Sequence, residues 1–447
     1  MALNSTLIKS TVVAALGGLL FGFDTAVIAG ATSALTTTFH LTPGSLGLTV
    51  SIALWGTVVG ALFAGIPGDR FGRRDSLRVL AIFYLISALG CAFATNWYAL
   101  VFFRFIGGLA IGGSSVLGPM YIAEIAPARW RGRLVGFFQF NVVAGILLAY
   151  FSNYLVGLSL QGSPLEWRWK LGIAAVPAAL FFFMLFQIPR SPRWLARVGR
   201  IADARSVLQL IGEENIDSEL EAMEQAFELE KLQGKERLLS TRNRLPLFLA
   251  ISIAMFNQLS GINAILYYLN DIFARAGFSK VSSDLQAVAI GATNLLFTML
   301  AMSVIDRVGR RTLMLIGSVG TALSLAGVAA IFWTGRHEDW LVWLLIGFIA
   351  AFAFSQGSVI WVYISEVFPT AVRAKGQSLG SSTHWIMNAL ISFAFPIVAV
   401  MSKAAPFVFF SAMMALQFLV VFFFYPETKN VVLEDMEKKL AGVGRSI

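Results

Sequence analysis

Two side chains of opposite charge stand out because each lies deep inside a long apolar run. Asp24 lies in LLFGFDTAVIAG (19–30), and Arg104 lies in VFFRFIGG (101–108). A bare carboxylate in hydrocarbon costs roughly 2.5–3.5 kcal/mol on insertion scales, so it normally faces the protein interior beside a partner. The sequence therefore predicts that Asp24 pairs with Arg104. Such a pair either takes up and releases a proton or acts as a static ion pair.

The composition indicates which solvent surrounds these two charges. The chain has 447 residues, of which 57% are hydrophobic and 13% are charged, with a mean hydropathy of +0.74. Soluble domains carry about 25% charged residues. A helix needs about 20 apolar residues to cross a bilayer, and lipid cannot satisfy bare backbone groups, so these runs predict membrane-spanning helices. We count about twelve such runs: 8–30, 46–66, 77–95, 99–120, 134–157, 169–188, 246–269, 285–305, 312–333, 340–364, 378–400 and 405–425.

The distribution of positive charge predicts the orientation. With the N-terminus inside, 27 of the 34 Lys and Arg residues fall in cytoplasmic segments. This bias is the positive-inside pattern, and it places both termini in the cytoplasm. It also argues that the net charge of +9 does not serve nucleic-acid binding. The single cysteine, Cys91, lies in an apolar run and is expected to be a small packing residue.

Two sequence signatures each occur twice. GDRFGRR (68–74) recurs as DRVGRR (306–311), and EIAPARWRGR (124–133) recurs as EVFPTAVRAKG (366–376). The offsets of 237 and 242 residues are nearly equal and indicate a duplicated six-helix unit, which is typical of the major facilitator architecture. We therefore predict an all-α membrane protein with two six-helix bundles and short cytoplasmic helices between them. The predicted N-terminal bundle is 1–189 and the C-terminal bundle is 245–425. The predicted cytoplasmic linker between them is 190–244, and the predicted cytoplasmic tail is 426–447.

The charges of these signatures predict a cytoplasmic gate. Glu124 and Arg131 are seven residues apart, as are Glu366 and Arg373. Such charges at the cytoplasmic mouth could hold the two halves closed and release them on opening. The alternative is that the arginines only anchor the loops on the inside. The predicted gating residues of the two signatures are Arg70, Glu124, Arg131, Arg307, Glu366 and Arg373.

Eight motifs in order make the chain resemble the sugar porter family of the major facilitator superfamily. They are GGLLFGFDTAVIAG, GDRFGRR, YIAEIAPARWRG, PRSPRWL, NQLSGINAILYY, DRVGRR, WVYISEVFP and PETK. The family includes bacterial proton–xylose symporters and animal glucose facilitators. The resemblance implies twelve helices, a central site between the halves and alternating access. Arg190 departs from the pattern, because the family usually has Glu there.

The resemblance implies a site for a sugar, which needs amides that donate and accept hydrogen bonds and an aromatic surface for its C–H faces. The predicted binding residues are Gln139, Asn257, Gln258, Asn263, Asn294, Gln356, Trp361, His384, Trp385 and Asn388. Gly261 interrupts the seventh apolar run, so an unwound segment could bring Gln258 and Asn263 to one cavity. Tyr267 and Tyr268 could form an outer gate. The alternative is that the amides hold helices together.

His384 stands where the family commonly has Gln or Asn before a Trp. It either packs and forms hydrogen bonds or sets the choice of sugar, with some fructose-carrying relatives similar at this position.

The function expected from the resemblance is proton-coupled import of a monosaccharide such as glucose, fructose or xylose. Proton-coupled members carry Asp at position 24, whereas passive facilitators tend to carry Asn. A passive facilitator is an alternative function, because this chain has Ala174 where the xylose symporter type has a Glu. A polyol or inositol transporter would also fit the resemblance, as would, more remotely, a non-transporting sugar sensor.

No nucleotide-binding loop, metal-ligand cluster or nucleophile triad is present in the sequence, so we expect neither an enzyme nor a cofactor. The expected partners are the sugar, the proton and the lipid bilayer. We expect a monomer in a cell membrane, with a bacterial inner membrane favoured by the compact chain.

Overall fold

The structure is a computed structural model that describes residues 4–233, 238–240, 243–369 and 372–429. Within these ranges the chain is almost entirely helical and has no β-strand. The α-helices of the described ranges are α1 (Ser5–Val27), α2 (Thr32–Phe39), α3 (Pro43–Phe63), α4 (Gly65–Phe71), α5 (Arg73–Phe93), α6 (Trp97–Ile125), α7 (Ala128–Ser159), α8 (Glu166–Gly172), α9 (Ala175–Met184), α10 (Pro192–Arg197), α11 (Ile201–Leu210), α12 (Ile216–Gln233), α13 (Arg244–Leu259), α14 (Ile262–Tyr267), α15 (Leu269–Arg275), α16 (Lys280–Val308), α17 (Arg310–Thr334), α18 (Leu341–Phe354), α19 (Gln356–Val367), α20 (Arg373–Met401) and α21 (Ala405–Phe424).

Twelve helical segments of the described chain are long and apolar enough to cross a membrane, which confirms the predicted number. Several of them consist of two labelled helices in sequence. The span Arg244–Tyr267 contains α13 and α14, and the span Glu338–Val367 contains α18 and α19. The short helices α10, α11 and α12 lie between the sixth and seventh spans, where short helices are predicted for the linker 190–244.

The chain divides into two compact units. Unit 1 consists of 1–28, 52–152 and 162–235, and unit 2 consists of 29–51, 153–161 and 236–447. The short segments 29–51 and 153–161 precede the predicted second bundle in sequence and yet group with unit 2. The domain boundaries given by the duplication stay a prediction.

In unit 1, α1 and α7 approach each other closely because glycines occupy their contact. A Cβ on Gly22 would lie 1.9 Å from the carbonyl oxygen of Val142, and a Cβ on Gly145 would lie 2.1 Å from that of Leu19. Small residues let the backbones of membrane helices approach in this way. Gly22, in LLFG (19–22), and Gly145 therefore fix α1 against α7, and Asp24 follows on α1.

In unit 2, the seventh span is interrupted between α13 and α14. Gly261 at the break has a φ of 80°, a left-handed conformation that glycine adopts without steric cost. A Cβ on Gly261 would also lie 2.3 Å from the ring of Phe410. The interruption predicted from Gly261 is thus present, and it changes the direction in which the flanking amides project.

Candidate functional site

Asp24, on α1 of unit 1, lies beside polar side chains of α5 and α6. Its carboxylate interacts electrostatically with Arg104, which is almost fully buried on α6. A Cβ on Gly107 would lie 3.8 Å from Asp24 Oδ1 and 2.4 Å from the Ser87 hydroxyl of α5. The two charges singled out by the sequence are therefore electrostatic neighbours within one unit, with a hydroxyl group beside them.

Further polar side chains surround Asp24 and Arg104. The hydroxyl groups of Tyr84 and Ser114 are 2.9 Å apart and fully buried, and the charge of Asp24 acts on Tyr84. The thiol of Cys91 is hydrogen-bonded to Ser87 and lies within the electrostatic reach of both charges. Sequence reasoning assigned Cys91 to packing and passed over Tyr84, Ser87 and Ser114, because hydroxyl groups are common in spanning helices.

Gln139 and Ala174 are the other unit 1 positions considered from the sequence. Gln139 is half-buried on α7. Ala174 is buried immediately before α9. The site role of Gln139 stays a prediction.

The amides on both sides of Gly261 form one hydrogen-bonded network in unit 2. Gln258 Nε2 donates to Asn257 Oδ1 at 3.0 Å, and Asn263 Nδ2 donates to Gln258 Oε1 at 3.0 Å. Gln258 Nε2 also lies 3.3 and 3.2 Å from the two ring nitrogens of His384. Gln258 and Asn263 are thus brought together across the helix break.

Aromatic rings flank the histidine of this network. The ring centroids of Trp361 and His384 are 5.0 Å apart, and those of His384 and Trp385 are 5.1 Å apart in an edge-to-face arrangement. Trp361 is 37% exposed, whereas Trp385 is buried. The network therefore has an accessible indole face beside amide groups, the combination that a sugar requires.

The two tyrosines after the network are both buried. Asn388 Nδ2 donates to the hydroxyl of Tyr267 at 3.2 Å. The hydroxyl of Tyr268 donates to the carbonyl oxygen of Ser392 at 2.9 Å, and its ring stacks on Phe395. The two hydroxyl groups thus tie the segment after Gly261 to α20.

Gln356 and Asn294 are both buried in unit 2, and of the two only Gln356 is described in contact with the network. Asn257 Nδ2 donates to the backbone oxygen of Gln356 at 3.4 Å. The Gln356 side chain directs Nε2 to the sulfur of Met414, and its Oε1 has no hydrogen-bond partner. Asn294 is buried on α16.

The first copy of the duplicated signatures forms a charge cluster in unit 1. Arg73 bonds Glu124 at 2.9 Å and Asp69 at 3.0 Å. Ser191, directly after the PR of PRSPRWL, also donates a hydrogen bond to Glu124. The cluster ties the start of α5 to the end of α6 and to the segment before α10.

The second copy forms the matching cluster in unit 2. Arg310 bonds Glu366 at 2.9 Å and Asp306 at 2.9 Å. The hydroxyl of Thr428, in PETK, donates to Glu366 Oε2 at 2.6 Å. Arg310 and Thr428 follow Arg73 and Ser191 by the same 237 residues, so the duplication extends to the hydrogen bonds.

The other predicted gating arginines lie outside these ion pairs. Arg70 is exposed with its guanidinium over the ring of Phe71, and Arg307 is exposed near the end of α16. Arg131 donates to the carbonyl oxygen of Ala126 at 3.5 Å. Arg373 donates in the same way to that of Phe368 at 3.4 Å. The partners of the two glutamates, Arg73 and Arg310, were missed, although each is repeated in the signatures.

Arg190, where the family usually has Glu, forms an ion pair with an acid of α5. Its Nη2 lies 2.8 Å from Asp75 Oδ2 in the first turn of α5. The equivalent residue of the second copy, Glu427, accepts hydrogen bonds from the backbone N–H groups of Arg310 and Arg311 at 2.9 and 3.1 Å. Glu427 therefore caps the N-terminus of α17. At the equivalent position of unit 1, Arg190 instead pairs with Asp75, which belongs to α5 itself.

Twelve candidate membrane spans in the described residues and two matching charge clusters are typical of a membrane transporter of the major facilitator fold. The profile of the family described as "Sugar (and other) transporter" matches residues 10–440. The chain belongs to this family.

Two relatives and one solved structure illustrate the similarity. The probable metabolite transport protein CsbC of Bacillus subtilis is 38% identical over 95% of this chain and 93% of its own length. The D-xylose-proton symporter of Escherichia coli is 34% identical over 97% of this chain and 96% of its own length. The inward-open conformation of the E. coli xylose transporter XylE superposes with a TM-score of 0.87 at 32% identity, covering 97% and 99% of the two chains.

Proposed function

We propose that this chain is a proton-coupled symporter that imports a monosaccharide, a hexose or a pentose, by alternating access. The observation that carries the proposal is the network of Gln258, Asn257, Asn263 and His384 beside the exposed face of Trp361. The similarity to a D-xylose-proton symporter supports both the sugar and the proton.

The network suits a neutral ligand with many hydroxyl groups. An amide offers two N–H donors and an oxygen with two lone pairs, so it can both donate to and accept from a hydroxyl group. The network itself contains no carboxylate or permanent cation that a neutral sugar would leave unpaired. The half-exposed indole of Trp361 gives the C–H face of the ring an apolar partner.

Asp24 and Arg104 are proposed to couple the proton to the sugar. A proton taken up by Asp24 cancels its charge and releases Arg104 from the electrostatic attraction, so the two protonation states favour different arrangements of α1 and α6. One proton moving down 100 mV releases about 2.3 kcal/mol. That free energy sustains roughly 50-fold accumulation of sugar, since about 1.4 kcal/mol corresponds to a factor of ten.

The charged clusters are proposed to act in gating. Glu124 and Glu366 each bind an arginine at the start of an earlier helix, Arg73 of α5 and Arg310 of α17 respectively. Loss of either bond frees the end of a spanning helix, so the clusters set the balance between inward- and outward-open states. The positive-inside bias supports a cytoplasmic position for both clusters and both termini. We propose that the chain works there as a monomer.

The test is uptake into proteoliposomes of labelled hexoses, pentoses and inositol, with and without a pH gradient. We expect one monosaccharide to be concentrated only when the outside is acidic. Asp24→Asn should abolish accumulation and retain counterflow, because the neutral amide keeps the site but binds no proton. Asp203→Asn, a change of an exposed acid on α11, should behave as wild type. Equilibration without accumulation in wild type would instead identify a passive facilitator, and preferential uptake of inositol a polyol carrier.

A further inference from the structure

A carboxylate with an enclosed oxygen lies in unit 2, at a contact between α2 and α15. The hydroxyl of Thr32, on α2, is hydrogen-bonded to the carboxylate of Asp271, on α15. Thr32 is buried, and Asp271 Oδ2 is fully enclosed by protein without a hydrogen-bond partner. An enclosed oxygen that has no donor is a poor place for negative charge.

The segment that carries Thr32 fits tightly against the rest of unit 2. A Cβ on Gly30 would lie 2.5 Å from Asn153 Nδ2. A Cβ on Gly47 would lie 2.3 Å from the carbonyl oxygen of Phe393. Any loosening of this segment therefore exposes Thr32 and Asp271 together.

The hydrogen count at the contact favours a protonated acid. The Thr32 hydroxyl carries a single proton, which can go to the Asp271 carboxylate or to the carbonyl oxygen of Ala29 at 3.3 Å. If Asp271 carries its own proton, it donates to the Thr32 oxygen while Thr32 donates to Ala29. Both hydrogen bonds then form at once, and Oδ2 no longer shares a full negative charge.

The charged groups around Asp271 are already engaged elsewhere. Arg275, one turn further along α15, donates to the carbonyl oxygen of Ala399 at 2.5 Å. Lys403, after α20, donates to the backbone oxygen of Arg275. From α16, Asp284 accepts a hydrogen bond from Asn270.

The remaining charged or titratable groups of the neighbouring elements are Lys280 at the start of α16, His40 at the end of α2 and Glu338 near Gly277. His40, Lys280 and Glu338 are all exposed.

Burial raises the pKa of Asp271 from 3.8 to about 6, against the opposing effects of the Thr32 hydrogen bond and the charge of Arg275. In an open arrangement, with the carboxyl in water, the pKa would return to its ordinary value. The closed contact therefore binds the proton more tightly than the open one does.

We propose that Asp271 is a second proton-binding site, separate from Asp24, and that its proton strengthens the contact between α2 and α15. The site lies at the opposite end of unit 2 from the Arg310 cluster, because α16 runs from Lys280 to Asp306, a length of about 40 Å. In the proposed orientation it faces the outside, so external acid closes this contact. The consequence for transport rests on the proposed alternating-access function, whereas the contact itself can be measured without sugar.

The size of the effect follows from the two proton affinities. A group whose pKa is higher in the closed state stabilises that state most at low pH, and the stabilisation is lost as the pH rises through the closed-state pKa. With values of 3.8 and about 6, the ratio of closed to open contact rises about tenfold between pH 7 and pH 5. The gain approaches about 150-fold below pH 3.8.

The experiment is a distance measurement by double electron–electron resonance in a Cys91→Ala background. Spin labels are placed at Thr38 on α2 and Ala274 on α15, both of which are exposed. We expect the short-distance population to grow about tenfold relative to the long-distance one from pH 7 to pH 5. The rise should begin near pH 6 and level off below pH 3.8.

Three variants distinguish the effect of the proton on Asp271 from other effects of pH on the measured distance. Asp271→Asn should keep the contact and abolish its pH dependence. Thr32→Val should weaken the pH dependence of the contact, because the protonated carboxyl group loses the oxygen to which it donates. Glu338→Gln, a change of an exposed neighbouring acid, should leave the pH dependence unchanged. The proposal is overturned if wild type shows equal distances at both pH values or if Asp271→Asn still responds. Sugar uptake, measured separately, reports on the proposed function alone.

Discussion

Removal of the Gln258 side chain should weaken sugar binding at least tenfold. Both N–H groups of the amide are engaged, by Asn257 Oδ1 and by the ring of His384, and its oxygen accepts from Asn263. Only one lone pair of that oxygen remains for a ligand. Gln258 is therefore the residue that holds three other binding groups in place, in addition to any bond of its own to the sugar.

The magnitude follows from these three bonds. Each hydrogen bond contributes a net stabilisation of about 0.5–1.5 kcal/mol, so Gln258→Ala removes about 1.5–4.5 kcal/mol of stabilisation from the three bonds of the network. Water entering the space left by the side chain recovers part of it. We expect a loss of binding free energy between about 1.4 and 3 kcal/mol, which is tenfold to roughly 150-fold in Kd.

The assay is equilibrium binding of the preferred labelled sugar to purified protein. The matched control is Gln417→Ala, because Gln417 is also a buried glutamine of unit 2 but takes no part in the network. The control should bind within about twofold of wild type, a difference of about 0.4 kcal/mol. If Gln258→Ala also binds within twofold while remaining folded, the network does not hold the sugar and the reasoning fails.

Three further changes test other parts of the structure. His384→Gln removes the ring between two tryptophans and should alter the order of affinities among glucose, fructose and xylose; an unchanged order would mean that His384 only packs. Glu124→Gln should reduce thermal stability and shift cysteine accessibility more than Glu366→Gln, because the Glu124 side chain is 8% exposed and that of Glu366 is 23% exposed; equal effects would contradict this ranking. Glu427→Ala uncaps α17 and should cost about 1–2 kcal/mol of stability, seen as a lower Tm in detergent; an unaltered Tm would show that the two N–H bonds contribute nothing.

The spanning helices could be predicted because each depends on the apolar length of one local run. The break between α13 and α14 could likewise be predicted from Gly261, because the effect of a glycine on the backbone is local. The association of Gln258 with Asn263 could then be expected. The identity of Gln258 as the partner of His384 could not, because it depends on how α20 is rotated against α13.

Other features needed the three-dimensional structure. The signatures contain several arginines, and only the helix geometry around the turn selects Arg73, four residues after Asp69, as the partner of Glu124. The bond between Thr32 and Asp271 joins residues that are far apart in the chain and belong to no repeated motif. The segment 29–51 groups with unit 2, although the sequence repeat assigned it to the first bundle.

The glycine contact between α1 and α7 has a consequence for how this chain can change over evolutionary time. At Gly22 and Gly145 even one methyl group would overlap a carbonyl oxygen of the facing helix, so nearly every coding change there is expected to be eliminated. Ile8 and Val12, on the same helix, are exposed and should exchange freely with other apolar residues. A saturation library of α1 and α7 should therefore show almost no surviving alleles at Gly22 and Gly145, and many at exposed positions such as Ile8 and Val12.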